Sequence, residues 1–231
     1  MHLQTVATGP VATGHGHEHT GAGILDLMTT VEVFADICCP FTHVGLRLVT
    51  NQLARLDTVI ECRVRAWPLE WVNGEPMTGE AVAEKVAVLR DELGSMYFEG
   101  FDADEFPTTT VPAMSLASVA YERDMETGLA VSLEVRDALF ERGLDVSKPD
   151  VLEAIAQAHG LEAWAAGAMA GVEADYEAGK ARGVTGSPHF FAGDREFFCP
   201  TLDLARDDEG ALHAAIDIEG LNSFVGHLAS L

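Results

Sequence analysis

The sequence is poor in basic residues. It has 14 Lys and Arg against 37 Asp and Glu among 231 residues, which gives a formal net charge of -23 at pH 7. A surface this negative repels the phosphate backbone of nucleic acids and the anionic headgroups of membranes. We therefore expect neither nucleic acid nor a membrane as a partner of this protein.

The chain also lacks long apolar runs and the pattern of a secretory signal. No run approaches the ~18 apolar residues that mark a bilayer-spanning helix, and no basic segment followed by an apolar one stands at the N-terminus. We expect a reducing cytoplasm, where four cysteines favour free thiols, catalysis or redox sensing over a disulfide framework. A chain of this length can bury a core without disulfides or metals.

The N-terminal segment 1–28 is rich in Gly, Thr, Ala and His and shows no apolar period. His15, His17 and His19 stand at alternate positions and could hold a transition metal loosely, but they lack the ligand spacing of a zinc site. We expect a disordered tail here and no metal site in the protein.

A strand, a helix and a second strand follow. Residues 31–35, VEVFA, are typical of a short strand. Pro40 suits the first position of a helix, where its missing N–H is not needed. Residues 59–67 alternate between apolar and polar side chains, as a half-buried strand does. The three elements predict a βαβ unit with parallel strands.

The rest of the chain is mostly helical in pattern. Residues 77–182 show several amphipathic helices, with Gly128 as a candidate break between two of them. The segments HFFA, 189–192, and REFF flank a Gly-Asp pair, which indicates a β-hairpin. A last helix is predicted from about 209 to 229.

The segment DICCPFTHVG places a thiol at the start of the first helix. If Pro40 is the first helical residue, Cys39 is the N-cap and faces unpaired backbone N–H groups, which lower the pKa of a thiol. His43, one turn further on, could stabilise the thiolate as an imidazolium. The alternatives are an inert buried thiol and a surface histidine. Cys38 and Cys62 are expected to be buried at a strand end and in the core.

This order of elements, together with the Gly-x-x-Gly-x-Pro loop at 183–188, resembles the DsbA-type members of the thioredoxin superfamily. The resemblance runs from about residue 30 to the C-terminus and is strongest to the FrnE-like and 2-hydroxychromene-2-carboxylate isomerase-like branch, which includes kappa-class glutathione transferases. It implies an α/β thioredoxin fold with an inserted helical domain. The implied parts are a tail (1–28), a first thioredoxin part (29–76), a helical insertion (77–182) and a second thioredoxin part (183–231).

The resemblance also implies a site. The Cys-Pro-x-Cys motif of the family falls on residues 39–42, where Thr42 takes the place of the second cysteine and argues against two-cysteine exchange. The isomerase and kappa-class relatives usually carry a serine where Cys39 stands, so this chain lies between the two patterns. Pro188 corresponds to the cis-proline of the family, which would leave the backbone of Ser187 beside Cys39 to pair with an extended substrate or a thiol peptide.

Other residues extend this candidate site. The Thr42 hydroxyl could donate a hydrogen bond to the sulfur of Cys39. Cys199 follows the strand that returns to the same sheet edge, so it is a replacement resolving cysteine, a residue lining a thiol pocket or a partly buried structural thiol. His189 is either an acid or base or a plain hairpin-edge residue.

Three functions compete. The first is a DsbA-like thiol–disulfide oxidoreductase, monothiol in mechanism, in which Cys39 attacks a disulfide and a low-molecular-weight thiol, glutathione or a functional equivalent, releases the product. The second is an isomerase or kappa-class-like transferase that uses such a thiol as cofactor. The third is a non-enzymatic binding protein. Small-molecule thiols or disulfides are the expected substrates, with protein disulfides as a further class, and the sequence leaves a monomer and a homodimer both open.

Overall fold

A computed structural model describes residues 29–57, 59–94, 97–161, 164 and 169–231; the expected tail at 1–28, with its His-rich motif, lies outside the described residues. The strands are β1 (Thr29–Ala35), β2 (Ile60–Ala66), β3 (His189–Ala192), β4 (Arg195–Phe198), β5 (Leu202–Arg206) and β6 (Leu212–Ile216). The helices are α1 (Pro40–Leu53), α2 (Leu69–Asn73), α3 (Gly79–Leu93), α4 (Val111–Arg123), α5 (Met125–Phe140), α6 (Pro149–Ala158), α7 (Met169–Arg182) and α8 (Ile218–Leu228). No helix in the described part of the chain is long and apolar enough to cross a membrane.

The main sheet has four strands in the order β2-β1-β3-β4. Strands β1 and β2 are parallel and are joined by α1, which confirms the predicted βαβ unit. Strand β3 runs antiparallel to β1, with Val33 opposite Phe190, and continues through a hairpin into β4. The α/β thioredoxin fold with a helical insertion is therefore confirmed.

The two faces of the sheet are covered by different helices. Because side chains alternate along a strand, Phe190 and Phe191 point to opposite faces. Phe190 packs with Val49 of α1 and Phe224 of α8. Phe191 packs with Phe34 on the face that α7 covers. The helix that begins beside Cys39 thus lies on the Phe190 face.

The outer edge of β2 is closed by side chains of the helical insertion. The Tyr121 hydroxyl accepts the Val64 N–H at 2.9 Å and donates to the Cys62 carbonyl at 3.1 Å. Asp175 of α7 accepts the Ala66 N–H at 3.0 Å. These contacts satisfy backbone groups that an edge strand otherwise leaves open for pairing with another chain.

The break between α4 and α5 falls at Asp124, not at Gly128. The Asp124 carboxylate accepts the Thr127 N–H at 2.6 Å and caps α5. Gly128 lies inside α5, where a Cβ would stand 2.1 Å from the Tyr121 ring. This glycine therefore serves close packing between the two helices rather than a break in one.

The predicted helix from 209 to 229 is wrong in its first part. A hairpin of β5 and β6 comes first, turning at Gly210, whose φ of +86° suits glycine. Helix α8 begins only at Ile218, where the Asp217 side chain accepts the Gly220 N–H at 2.7 Å. Leu212 and Ile216 are four residues apart, and that spacing fits one face of a strand as well as one face of a helix.

Candidate active site

Cys39 is the N-cap of α1, and Pro40 occupies the first helical position. The backbone of Cys39 is extended, and its carbonyl accepts the His43 N–H at 3.1 Å as the first bond of the helix. The thiol donates to the Ser187 carbonyl at 3.1 Å, and the residue as a whole is 5% exposed. The sulfur is thus held between the positive end of a helix and a carbonyl of a distant loop.

That loop carries the Ser187–Pro188 peptide, which is cis. The Ser187 hydroxyl accepts the Asp36 N–H at 2.9 Å and pairs with the Thr42 hydroxyl at 2.9 Å. The Thr42 hydroxyl is therefore engaged with Ser187 and not, as the sequence suggested, with the sulfur of Cys39. Thr42 joins α1 to the loop.

Asp36 is a member of the site that the sequence did not single out. It is fully buried at the end of β1. Its carboxylate accepts hydrogen bonds from the Cys38 N–H at 2.9 Å, the Thr110 hydroxyl at 2.8 Å and the Leu69 N–H at 2.6 Å. An acidic residue at the end of an apolar strand, three positions before Cys39, was the signal that could have found it.

His43 is buried, with 1% exposure, and pairs with Glu141 at the end of α5. Its Nε2 lies 2.5 Å from the Glu141 carboxylate, which also accepts the N–H groups of Phe98 and Glu99 at 3.1 Å. Burial lowers the pKa of His43. Partial burial opposes ionisation of Glu141, yet these hydrogen bonds lower its pKa to about 2. A neutral imidazole therefore donates to a carboxylate, and His43 is neither a surface residue nor an imidazolium beside the thiol.

His189 lies on the other face of the sheet. It shares the face of Phe191, two residues on, with ring centroids 4.7 Å apart, whereas α1 covers the Phe190 face. Its Nδ1 accepts the Thr185 N–H at 3.3 Å, and burial lowers its pKa. This position argues against His189 as the acid or base for Cys39.

Cys199 lies beside the same loop as Cys39. Its N–H donates to the Pro188 carbonyl at 3.0 Å, next to the Ser187 carbonyl that Cys39 contacts. Its φ is +44°, which is uncommon for a residue with a side chain. Burial, with a smaller effect of Cys39, raises the pKa of Cys199 to about 12. Cys199 is therefore protonated at neutral pH, which argues against a nucleophile in the resting protein.

The other two cysteines are also held as thiols. Burial, followed by the nearby Asp36 carboxylate, raises the pKa of Cys38 well above its ordinary value. Burial raises the pKa of Cys62, a core residue of β2, to about 12. All four cysteines are free. Only Cys39 combines a free thiol with a helix N-terminus.

Helix α5 holds α1 through two pairs that the sequence did not reveal. His43 pairs with Glu141, and one turn further along α1, Arg47 pairs with Asp137. The matching four-residue spacings place both pairs along one antiparallel helix contact. They fix the helix that presents Cys39.

No group of three or more His, Cys, Asp or Glu side chains within the described ranges is arranged to hold a metal ion.

The fold and this cysteine at a helix start define a thioredoxin-type protein. A model of the DSBA-like thioredoxin domain family matches residues 30–206. The chain belongs to that family. A search of curated proteins found no match.

Three solved structures share the fold. A probable DsbA oxidoreductase from Streptomyces coelicolor is 17% identical, with a TM-score of 0.62 over 87% of this chain and 90% of its own. A 2-hydroxychromene-2-carboxylate isomerase is 18% identical, with a TM-score of 0.54 over 73% and 88%. The cytosolic disulfide reductase DsbM from Pseudomonas aeruginosa is 14% identical, with a TM-score of 0.53 over 86% and 97%.

Proposed function

We propose that the protein is a thiol–disulfide oxidoreductase that works through Cys39 alone. The observation that carries the proposal is the placement of the Cys39 thiol at the N-terminus of α1, with Thr42 where the family motif has its second cysteine. A helix N-terminus favours the thiolate, which is the nucleophile in disulfide exchange. The other three cysteines are held protonated by burial.

The reaction is two successive exchanges. The Cys39 thiolate attacks one sulfur of a disulfide, forming a mixed disulfide and expelling the other sulfur as a thiolate. A low-molecular-weight thiol, glutathione or a functional equivalent, then attacks the substrate sulfur of that mixed disulfide as its thiolate. Cys39 leaves as a thiolate, so one half of the substrate has been released as a thiol and the other half as a mixed disulfide with the external thiol. A second cycle with another molecule of the external thiol converts that mixed disulfide into the second substrate thiol and the oxidised external thiol.

The loop beside Cys39 fits a thiol peptide. The Ser187 carbonyl accepts the Cys39 S–H in the resting protein and loses this donor once the sulfur enters a mixed disulfide. It then accepts an N–H from the bound thiol instead, while Thr42 keeps the Ser187 hydroxyl in place. DsbM has also been solved with glutathione. We propose that this protein uses a co-substrate of this kind in the reducing cytoplasm.

Small disulfides fit the site better than protein disulfides. Cys39 is buried, and a small molecule reaches the sulfur of such a residue with less rearrangement than a folded protein does.

The test is reduction of 2-hydroxyethyl disulfide by glutathione, with mass spectrometry of the trapped enzyme. Cys39→Ser is expected to remove turnover and the mixed disulfide, because it removes the nucleophile. Cys62→Ala, which removes a buried thiol of the core, is the matched control and keeps both. A Cys39→Ser variant that still turns over would refute the proposal.

A thiol-dependent isomerase or kappa-class-like transferase is the second candidate. It is favoured by the absence of a cysteine at position 42, where Thr42 stands, and the isomerase neighbour shares the fold. Saturable binding of glutathione without disulfide reduction and without a mixed disulfide at Cys39 would support it. An unreactive Cys39 with no thiol binding would indicate a non-enzymatic binding protein.

A further inference from the structure

Arg136 of α5 is a buried cation without an ion-pair partner. It is fully buried, and it is absent from every salt bridge formed among the residues that the structure describes. Nη1 donates to the carbonyl and hydroxyl of Ser132 at 2.7 Å, and Nε has no partner in that part of the chain. Removing a guanidinium from water is costly unless a nearby negative charge offsets the loss.

The guanidinium faces the turn that carries the nucleophile. Nη2 donates to the Asp36 backbone carbonyl at 3.2 Å, three residues before Cys39. Burial lowers the pKa of Arg136 to about 10, and the nearby Asp36 is the largest effect that opposes this. Arg136 is therefore still charged at neutral pH, directly beneath the β1–α1 turn.

Other charged groups around Arg136 already have partners. A cavity of about 10 Å³, room for one water molecule, lies between Arg136 and Asp175. The Asp175 carboxylate is engaged by Arg65 and by the backbone of β2. The titratable and charged groups that face Arg136 are Asp36, Cys38 and Cys39 from the β1–α1 turn, His43 from α1, Cys62 and Arg65 from β2, Tyr121 from α4 and Asp175 from α7.

Asp36 creates the need for such a cation. Its buried carboxylate lies in the same turn as the thiols and helps to raise the pKa of Cys38. The negative charge of Asp36 also opposes a thiolate at Cys39. The N-terminus of α1 counters this in part, and Arg136 is the buried positive charge on the other side of the turn.

We propose that Arg136 is a positioning residue that stabilises the thiolate of Cys39 by offsetting the charge of Asp36, so that Cys39 is reactive while Cys38 is not. The proposal rests on the proposed function, because it concerns the same nucleophile. Arg136 touches no substrate and acts through the field and the backbone of the turn.

The test measures the iodoacetamide alkylation rate of each cysteine against pH, with peptide mapping. Arg136→Met is expected to move the half-maximal rate of Cys39 to higher pH by about one unit or more, the usual effect of one nearby opposite charge. Arg136→Lys, which keeps the charge, retains most of the wild-type Cys39 profile. Arg142→Met removes an exposed charge just after the same helix and leaves the profile unchanged.

Cys62 reports folding within the same experiment. Arg136 lowers the pKa of this core thiol, so the loss of Arg136 alone makes Cys62 react more slowly, and a faster reaction shows that the chain has opened. If Arg136→Met exposes Cys62, the Cys39 profiles of Arg136→Lys and Asp36→Asn test the proposal instead. Asp36→Asn removes the opposing charge and moves the Cys39 profile to lower pH.

The inference alone is overturned if Arg136→Met leaves the pH profile of Cys39 alkylation as in wild type while Cys62 stays protected. It is also overturned if Asp36→Asn leaves that profile as in wild type. A wild-type Cys39 that does not alkylate at all overturns the proposed function as well.

Discussion

At the scale of single residues, the pair of His43 and Glu141 couples the stability of helix α1 to pH. Burial favours the neutral imidazole, so the pKa of His43 lies below its ordinary 6.5 in the folded protein. The unfolded chain then binds the proton more readily. The stability that His43 contributes is present above pH 6.5 and is lost as the pH falls. Glu141 acts in the same direction at lower pH, from its ordinary 4.5 down to about 2.

We predict that His43→Gln flattens the pH dependence of stability between pH 7 and pH 5. It should also lower the free energy of unfolding at pH 7 by about 1.5–3 kcal/mol, the contribution of a hydrogen bond to a charged group. Urea unfolding at several pH values measures both effects. His213→Gln, which removes an exposed histidine paired with Asp207, is the control and keeps the wild-type slope. Parallel curves for His43→Gln and wild type would contradict the prediction.

The position of Cys39 at the start of a helix could be predicted from sequence because its causes are local. A cysteine directly before a proline at a helix start needs no distant partner to be recognised. The partners of the site are not local. Glu141 is 98 positions from His43, and Arg136 is 100 positions from Asp36. Only the packing of α5 against α1 and the β1–α1 turn brings these residues together. The sequence alone therefore left a surface position open for His43 and favoured a Thr42–sulfur hydrogen bond, neither of which the structure contains.

At the scale of helices and strands, two glycines inside helices have different surroundings. Gly128 is inside α5 against the Tyr121 ring, whereas nothing lies within 4 Å of where a Cβ would stand at Gly226 in α8. The sequence shows both only as glycines within a helical pattern. Helix-breaking tendency predicted a boundary at Gly128, but the side chain of Asp124 sets the boundary four residues earlier.

We predict that Gly128→Ala and Gly226→Ala change stability in opposite directions. The first displaces Tyr121, whose hydroxyl closes the edge of β2, and should cost about 1–3 kcal/mol as overpacking. The second should gain about 0.4–1 kcal/mol by replacing a glycine in the last turn of a helix, where a Cβ meets no other atom. Urea unfolding of both variants measures the difference, and a change of the same sign in both would contradict it.

The first four strands could be predicted from the sequence, but the last two could not. The βαβ unit and the β3–β4 hairpin have alternation and turn residues of their own. The β5–β6 hairpin does not, because Leu212 and Ile216 fit a helix equally well. Its strands pack on α3 and the core of the insertion through Leu204 and Ala214, a tertiary contact that overrides the local pattern.

At the scale of the whole molecule, the net charge of -23 acts on every substrate. We predict that Cys39 reacts fastest with cystamine, a dication, more slowly with neutral 2-hydroxyethyl disulfide, and slowest with anionic oxidised glutathione at low salt. The second-order rate constants of the three disulfides should approach one another as NaCl is raised from about 10 mM to 500 mM, since salt screens the long-range field. If the rates of the three disulfides stay equally far apart as salt is added, local contacts and not net charge set the preference of Cys39 among them.

The carbonyl that holds the Cys39 thiol lies 148 residues further along the chain. At ribosomal speeds of about 5–20 residues per second, Ser187 is made roughly 7 to 30 s after Cys39. During that interval Cys38 and Cys39 are on the growing chain without Ser187 and strand β3, and Cys62 joins them once β2 has been made. These thiols are thus open to unwanted oxidation while the rest of the chain is made, and slow translation of residues 40–187 would lengthen that interval in direct proportion.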